Sequence, residues 1–176
     1  GSLEPLLMNP ASRAALVLGK WGAVACVAML IALLSCASFL PGQWLLRSET
    51  LAAMFRFGMR EGAMFLALLL PLAGALSALL MAIAIRCRSF KEAQANATGL
   101  VLLVSLLPLL TLLNQDGEAP WHLWLPALAQ ITLMGRVLKG EPMAAWELVL
   151  PLVICLLLTA LCLAYVAQSL KRAALK

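Results

Sequence analysis

The sequence predicts an all-α integral membrane protein with about four transmembrane helices. Two observations predict the class. Of the 176 residues, 64% are hydrophobic and 12% charged, an apolar share well above the roughly 45–50% of soluble domains. The apolar residues also lack an amphipathic period and come in runs near twenty. That is the length a helix needs to cross about 30 Å of hydrocarbon. A third observation orients the chain. The island Arg86-Cys87-Arg88-Ser89-Phe90-Lys91-Glu92-Ala93-Gln94-Ala95-Asn96 separates the runs Ala63–Ile85 and Ala97–Leu113, and it holds three basic residues against one acidic. A short basic loop stays in the cytoplasm, which sets the direction of every other segment.

Residues 1–13 read as a short cytoplasmic amphipathic helix. Ser2 is a good N-cap, Glu4 suits the first turn, and Pro5 is tolerated there. Leu3, Leu6 and Leu7 share one helical face. Asn9-Pro10 ends the piece, because a residue before proline is pushed out of the helical region. The first ten residues contain a Glu, two prolines and no basic n-region, so they do not read as a cleavable signal peptide. Residues 14–176 then form one transmembrane domain.

The first span is expected over 14–40. Ser12 caps it, Arg13 and Lys20 lie at its cytoplasmic start, and Trp21 lies near that interface. Pro41-Gly42 is expected to stop it. Residues 43–61 form an outer interfacial segment, with Trp44, Phe55 and Phe57 interleaved with Arg47, Arg56 and Arg60. The second span, 62–85, contains Pro71, Gly74 and Ser77. Gly74 and Ala78 make a small-xxx-small pair that permits close helix contact. The third span is 97–113, with Pro108 near its outer end, followed by the polar turn Asn114–Glu118.

The stretch 120–139 mixes apolar residues with His122, Pro126, Gln130, Thr132, Arg136 and Lys139. It is poor material for a full span, and a crossing here would put the basic C-terminus outside. It therefore reads as an outer re-entrant or interfacial helical segment. Gly140-Glu141-Pro142 breaks it. The last span, 145–167, has Trp146 at its outer end and finishes at the basic stop Lys171-Arg172. On this topology Arg13, Lys20, Arg86, Arg88, Lys91, Lys171, Arg172 and Lys176 are inside, against Arg47, Arg56, Arg60, Arg136 and Lys139 outside. The excess inside is modest and has the expected sign.

Little chemistry is written into the chain. The net charge of +5 concerns topology and anionic headgroups, so membrane lipid is a partner and nucleic acid is not. The five cysteines form no C-x-x-C pair and read as small buried side chains rather than disulfides or metal ligands. The single histidine, His122, stands between tryptophans and reads as a passive interfacial residue. Glu147 falls about one turn into the last span, near the outer face, and no carboxylate lies deeper. H-E-x-x-H, G-x-S-x-G and the P-loop are all absent. No catalytic, cofactor-binding or metal-binding residue is predicted, and any ATP the protein uses is bound by another chain.

Two stretches nevertheless resemble a known family. They are Ser2-Leu3-Glu4-Pro5-Leu6-Leu7-Met8-Asn9-Pro10-Ala11-Ser12-Arg13, followed by Leu16-Val17-Leu18-Gly19-Lys20, and Arg88-Ser89-Phe90-Lys91-Glu92-Ala93-Gln94. Both are similar to the membrane subunits of type-2 ABC exporters, of the NatB type described as sodium-exporting. The stretch Trp121–Gly140, with Pro126 and Gln130, looks like the outer segment before the last helix of those permeases. The order matches along nearly the whole chain. A permease half of that family carries six spans, so the four counted here resemble its C-terminal four-helix portion: a fragment, a half whose other part is a separate chain, or a degenerate copy.

The resemblance implies an efflux subunit that is not itself an enzyme, in a bacterial-type inner membrane with both termini cytoplasmic. It implies a partner ABC ATPase that carries ATP and magnesium, and a second permease half or a homodimer. It makes residues 3–8 a coupling helix, with Leu3, Glu4, Leu6, Leu7 and Arg13 at the ATPase contact. Arg88, Lys91 and Glu92 form a second cytoplasmic contact. Ser105, Thr111, Gln130 and Thr132 are the candidate path-lining residues. Sodium or another small ion or molecule is the implied substrate. The alternative from a different class is a non-transporting membrane scaffold or assembly subunit without ATPase contact. An intramembrane enzyme would need clustered polar catalysts that this sequence lacks.

Overall fold

The computed structural model describes residues 13–45, 58–113 and 120–173. They form α1 (Arg13–Leu45), α2 (Met59–Ala84), α3 (Phe90–Leu113), a short 3-10 helix η1 (Pro120–Trp124), α4 (Leu128–Lys139) and α5 (Ala145–Ala173), with no strand among them. Helices α1, α2, α3 and α5 are each long and apolar enough to cross a membrane. Every polar backbone group in lipid must be satisfied inside the protein, which leaves helices as the spanning element for such runs.

Each long helix contains one proline, namely Pro41, Pro71, Pro108 and Pro151, and none of them ends its helix. This corrects the expected stop at Pro41-Gly42, because α1 continues to Leu45. A proline forfeits one backbone hydrogen bond and strains one turn. Breaking the helix without water nearby would release several such groups. Hydroxyls settle within their own helices for the same reason. Ser77 Oγ donates to Ala73 O at 2.7 Å, Thr159 Oγ1 to Cys155 O at 2.8 Å and Ser38 Oγ to Ser35 O at 2.7 Å.

Helix α2 is the hub and packs chiefly against α1 and α5. Its buried face begins with the large Phe65 and Leu68 and turns small in its second half, at Gly74, Ala75, Ser77, Ala78 and Ala82. Small residues let backbones approach where no hydrophobic force separates protein from lipid. Near the loop that joins α2 to α3, Ala78 and Ala82 meet Val17 of α1 and Cys162 and Val166 of α5. Trp21 also packs there, and its Nε1–H donates to Gly74 O at 3.0 Å. The indole near Lys20 is therefore also a cross-helix tie. A methyl at Gly74 would sit 3.6 Å from Met29 Cε and Trp21 Cζ2, in ordinary contact. The carbonyl of Gly74, not its lack of a side chain, is what Trp21 uses.

Helix α3 begins seven positions before the expected span, at Phe90 rather than 97. Ser89 Oγ accepts the Glu92 N–H at 3.2 Å, and Glu92 Oε2 accepts the Arg88 N–H at 2.9 Å. This is close to a capping box, the S-x-x-E pattern that starts helices. Most of the basic island is thus the first turns of a helix. Among the described residues, helix α3 packs chiefly against α2 and α4, and none of its membrane-length window is buried.

Candidate functional site

The most constrained part of the molecule is a hairpin formed by η1 and α4. It sits at the end of the bundle where α2 and α5 begin. Leu123 of η1 and Leu133 of α4 pack on Leu68 of α2, with Leu148 and Leu150 of α5 beside them. Val137 of α4 packs on Phe65 of α2 and Cys36 of α1. The hairpin fills the wedge between the helix ends with large apolar side chains.

Two polar ties fasten α4 to α5. At the hairpin's tip, Gln130 Nε2 donates to Cys155 Sγ at 3.2 Å. At its mouth, Arg136 Nη1 pairs with Glu147 Oε1 at 3.0 Å, while Glu147 Oε2 accepts the Ala144 N–H at 2.9 Å. Cys155 stands ten positions after Ala145, where α5 starts. At 1.5 Å per residue, the tip lies about 15 Å below the beginning of α5. Helix α4 then rises back along α5 and ends in a Schellman-type cap at Gly140, with φ 70° and ψ 23°.

The turn between η1 and α4 is strained. Ala127 has φ 71° and ψ −47°, a conformation that L side chains rarely adopt and that costs about 1–3 kcal/mol. Gln130 holds it, with Oε1 accepting the Ala127 N–H at 2.7 Å. One buried carboxamide, 1% exposed, thus caps the helix and ties the tip to α5.

The hairpin also carries polar groups without partners. His122 is 2% exposed, and neither of its ring nitrogens has a hydrogen-bond partner. Thr132 Oγ1 is likewise buried and unpartnered. This corrects the reading of His122 as an interfacial residue. Its neighbours Trp121 and Trp124 are the exposed ones, and Trp121 meets the imidazole edge-on at 4.2 Å between ring centroids. Beside the mouth lies a cavity of about 410 Å³ lined by Arg60, Glu61, Val137, Gly140, Glu141 and Met143, among others. A smaller crevice of about 260 Å³, almost wholly apolar, opens between α1 and α2 at Leu33, Cys36, Gly62 and Leu66.

The structure distributes the remaining expected residues. Leu3, Glu4, Leu6 and Leu7 lie outside the described residues, and so does the side chain of Arg13, which opens α1. Arg88, Lys91 and Glu92 come together at the start of α3, all exposed, with Glu92 engaged in the cap. Ser105 is exposed on α3. Thr111 belongs to α3, with its side chain outside the described residues. Gln130 and Thr132 are both buried on α4. Among the described residues, no group of three His, Cys, Asp or Glu is placed to hold a metal ion.

Four apolar spans around a small-residue hub, with a polar-tied hairpin at one end, describe a multi-pass membrane architecture, and comparison with known families says which. Residues 1–173 match the family model described as ABC-2 family transporter protein. The chain belongs to the ABC-2 transporter family. An ABC-2 membrane protein of this kind is a multi-pass permease subunit of an ABC transporter, a transport subunit rather than a catalytic one. No curated protein and no solved structure matches the chain. Within this ABC-2 permease, three features escaped the sequence: the burial of His122, the Arg136–Glu147 pair and the Gln130–Cys155 tie. Each depends on a partner that only packing brings near. The Ser89–Glu92 cap was readable in principle from its S-x-x-E spacing.

Proposed function

We propose that this chain is the NatB-like membrane part of an ATP-driven exporter in a bacterial-type inner membrane, with both termini cytoplasmic. The observation that carries this reading is the family match across residues 1–173. The loop joining α2 to α3 is then the cytoplasmic end, where Arg86, Arg88 and Lys91 are exposed. The hairpin lies at the outer end, and its tip reaches about the middle of a roughly 30 Å hydrocarbon layer. Leu3, Glu4, Leu6 and Leu7, with Arg13, dock in a partner ATPase that carries ATP and magnesium. Arg88, Lys91 and Glu92 form the second contact. Hydrolysis moves the coupling segment and the spans rock with it.

Helix α3 supports a path shared with a second permease half or a second copy. It is the least apolar of the four spans and the least covered. It exposes Thr98 and Ser105 within the span, polar groups that a protein or water neighbour would satisfy better than lipid. Ser105 and Thr111 from α3, with Thr132 from the hairpin, supply polar groups to that path, whereas Gln130 spends both ends of its carboxamide on Ala127 and Cys155. The exported species is sodium or another small ion or molecule.

The test is co-purification from native membranes of the wild type against Leu6→Asp with Leu7→Asp. A charge on a buried docking face costs several kcal/mol. A soluble ATPase should accompany the wild type and be lost from the variant while the membrane domain stays folded. Equal retention by both chains refutes the coupling assignment and favours a scaffold without ATPase contact.

A further inference from the structure

The cavity beside the mouth of the hairpin joins charged groups to an apolar wall. It lies between the start of α2, the turn from α4 to α5, and the start of α5. Arg60 and Glu61 of α2 and Glu141 of the turn supply charge, and Met64, Met143 and Leu148 supply the wall. Its volume of about 410 Å³ falls within the roughly 300–1,000 Å³ of ligand sites. Backbone contacts fix two of the charged positions. Glu61 Oε2 accepts the Gly58 N–H at 2.9 Å, which holds this carboxylate at the start of α2. Glu141 follows the left-handed Gly140, and its N–H donates to Arg136 O at 3.1 Å. Its carboxylate stands 4.0 Å from Lys139 Nζ, an exposed pair of the kind that contributes little.

The depth of the cavity matches a lipid headgroup. Helices α2 and α5 have 26 and 29 residues, about 39 and 43 Å at 1.5 Å per residue, longer than the roughly 30 Å of hydrocarbon. Arg60 and Glu61 open α2, so their turn stands in the headgroup layer, roughly 5–7 Å thick on each side. Met64 and Leu148 lie about 8 and 5 Å along their helices, where that layer gives way to hydrocarbon. A ligand seated here is charged at one end and apolar at the other.

The lining also selects the headgroup. Two carboxylates against one guanidinium disfavour an anionic lipid such as phosphatidylglycerol. The guanidinium suits a phosphate, and the carboxylates suit an ammonium that carries N–H donors. Quaternary ammonium groups are recognised by aromatic cages, and among the described residues none that lines the cavity is aromatic.

We propose that this cavity binds one zwitterionic phospholipid with a primary ammonium, a phosphatidylethanolamine. Its phosphate meets Arg60, its ammonium meets Glu61 and Glu141, and its glycerol and first acyl carbons lie on Met64, Met143 and Leu148. The lipid thereby bridges α2 to the turn after α4. This rests on the membrane-spanning helices, and on neither the ATPase contact nor the direction of the chain in the membrane.

The experiment uses the full chain, purified in detergent and stripped of lipid, with phosphatidylethanolamine, phosphatidylcholine or phosphatidylglycerol of one acyl composition. Native mass spectrometry reads the fraction of chains that carry one lipid across a titration. Phosphatidylethanolamine should bind at least about fivefold more tightly than either other lipid, the upper end for an exposed ion pair. Glu141→Gln should remove most of that preference. So should Glu61→Gln, which keeps an oxygen for the Gly58 N–H. Arg60→Gln should weaken phosphatidylethanolamine and phosphatidylcholine alike, because both carry the phosphate. Free phosphoethanolamine should displace little of the bound lipid, since it lacks the apolar end.

Equal binding of the three lipids overturns the proposal, and so does a preference that survives Glu141→Gln. Free phosphoethanolamine that competes as well as the lipid overturns the lipid assignment in favour of a soluble ligand. Should Glu61→Gln fail to fold, Glu141→Gln, on an exposed turn, decides the proposal by itself. Loss of the ATPase contact leaves the site standing.

Discussion

Replacing Gln130 by leucine isolates the bond on which the hairpin's turn depends. Leucine fills a similar volume, so the change opens no sizeable cavity. It removes the acceptor 2.7 Å from the Ala127 N–H and the donor 3.2 Å from Cys155 Sγ. Ala127 is only 3% exposed, so its N–H finds no water and the orphaned donor costs about 1–3 kcal/mol. The N–H to sulfur bond is weak and adds little. The net expectation is a loss of about 2 kcal/mol, roughly thirtyfold in the folding equilibrium. Cys155→Ser is the control. Its hydroxyl can accept the same Gln130 N–H, so the change should stay within about 0.5 kcal/mol of neutral. Both are read by reversible SDS unfolding in mixed micelles, followed by tryptophan fluorescence, with Trp121 and Trp124 in the hairpin's first arm. The reasoning is refuted if Gln130→Leu proves neutral, or if Cys155→Ser costs as much as Gln130→Leu.

Two further outcomes follow from the same geometry. Trp21→Phe keeps an aromatic ring at this position but deletes the donor to Gly74 O. Side-chain hydrogen bonds between membrane helices average about 0.6 kcal/mol and reach about 1.7, so the loss in the same unfolding assay should fall in that range. A cost several times larger would mean that the indole acts by packing. Ser89→Ala removes the acceptor of the Glu92 N–H and should weaken the first turn of α3 by about 1 kcal/mol. Hydrogen exchange at Glu92 should quicken several-fold while the global unfolding midpoint stays unchanged; a shifted midpoint would mean that the cap supports the bundle and not one turn.

Much of the architecture was legible without coordinates, because the bilayer imposes it. A run of about twenty apolar residues must be helical, since lipid leaves backbone groups no other partner. The four spans therefore follow from composition and run length, and the all-α class with them. The family was legible as well, because its marks are contiguous stretches such as Ser2–Arg13 and Arg88–Gln94.

The tertiary structure decided what depends on residues distant in sequence. Proline at 41 looked like a stop because local propensity cannot weigh the backbone groups a break would release. The tie from Trp21 was not readable because its acceptor, Gly74 O, lies 53 positions away. His122 looked interfacial between two tryptophans, yet its ring is buried while Trp121 and Trp124 are exposed. Arg136 and Glu147 appeared to be separate outer charges until α4 folded back along α5. In a membrane, hydropathy places the spans, since solvation is the large term. Which small faces meet, and which polar groups are matched or left unmatched, is set by close packing, and periodicity in one helix carries no information about its neighbour.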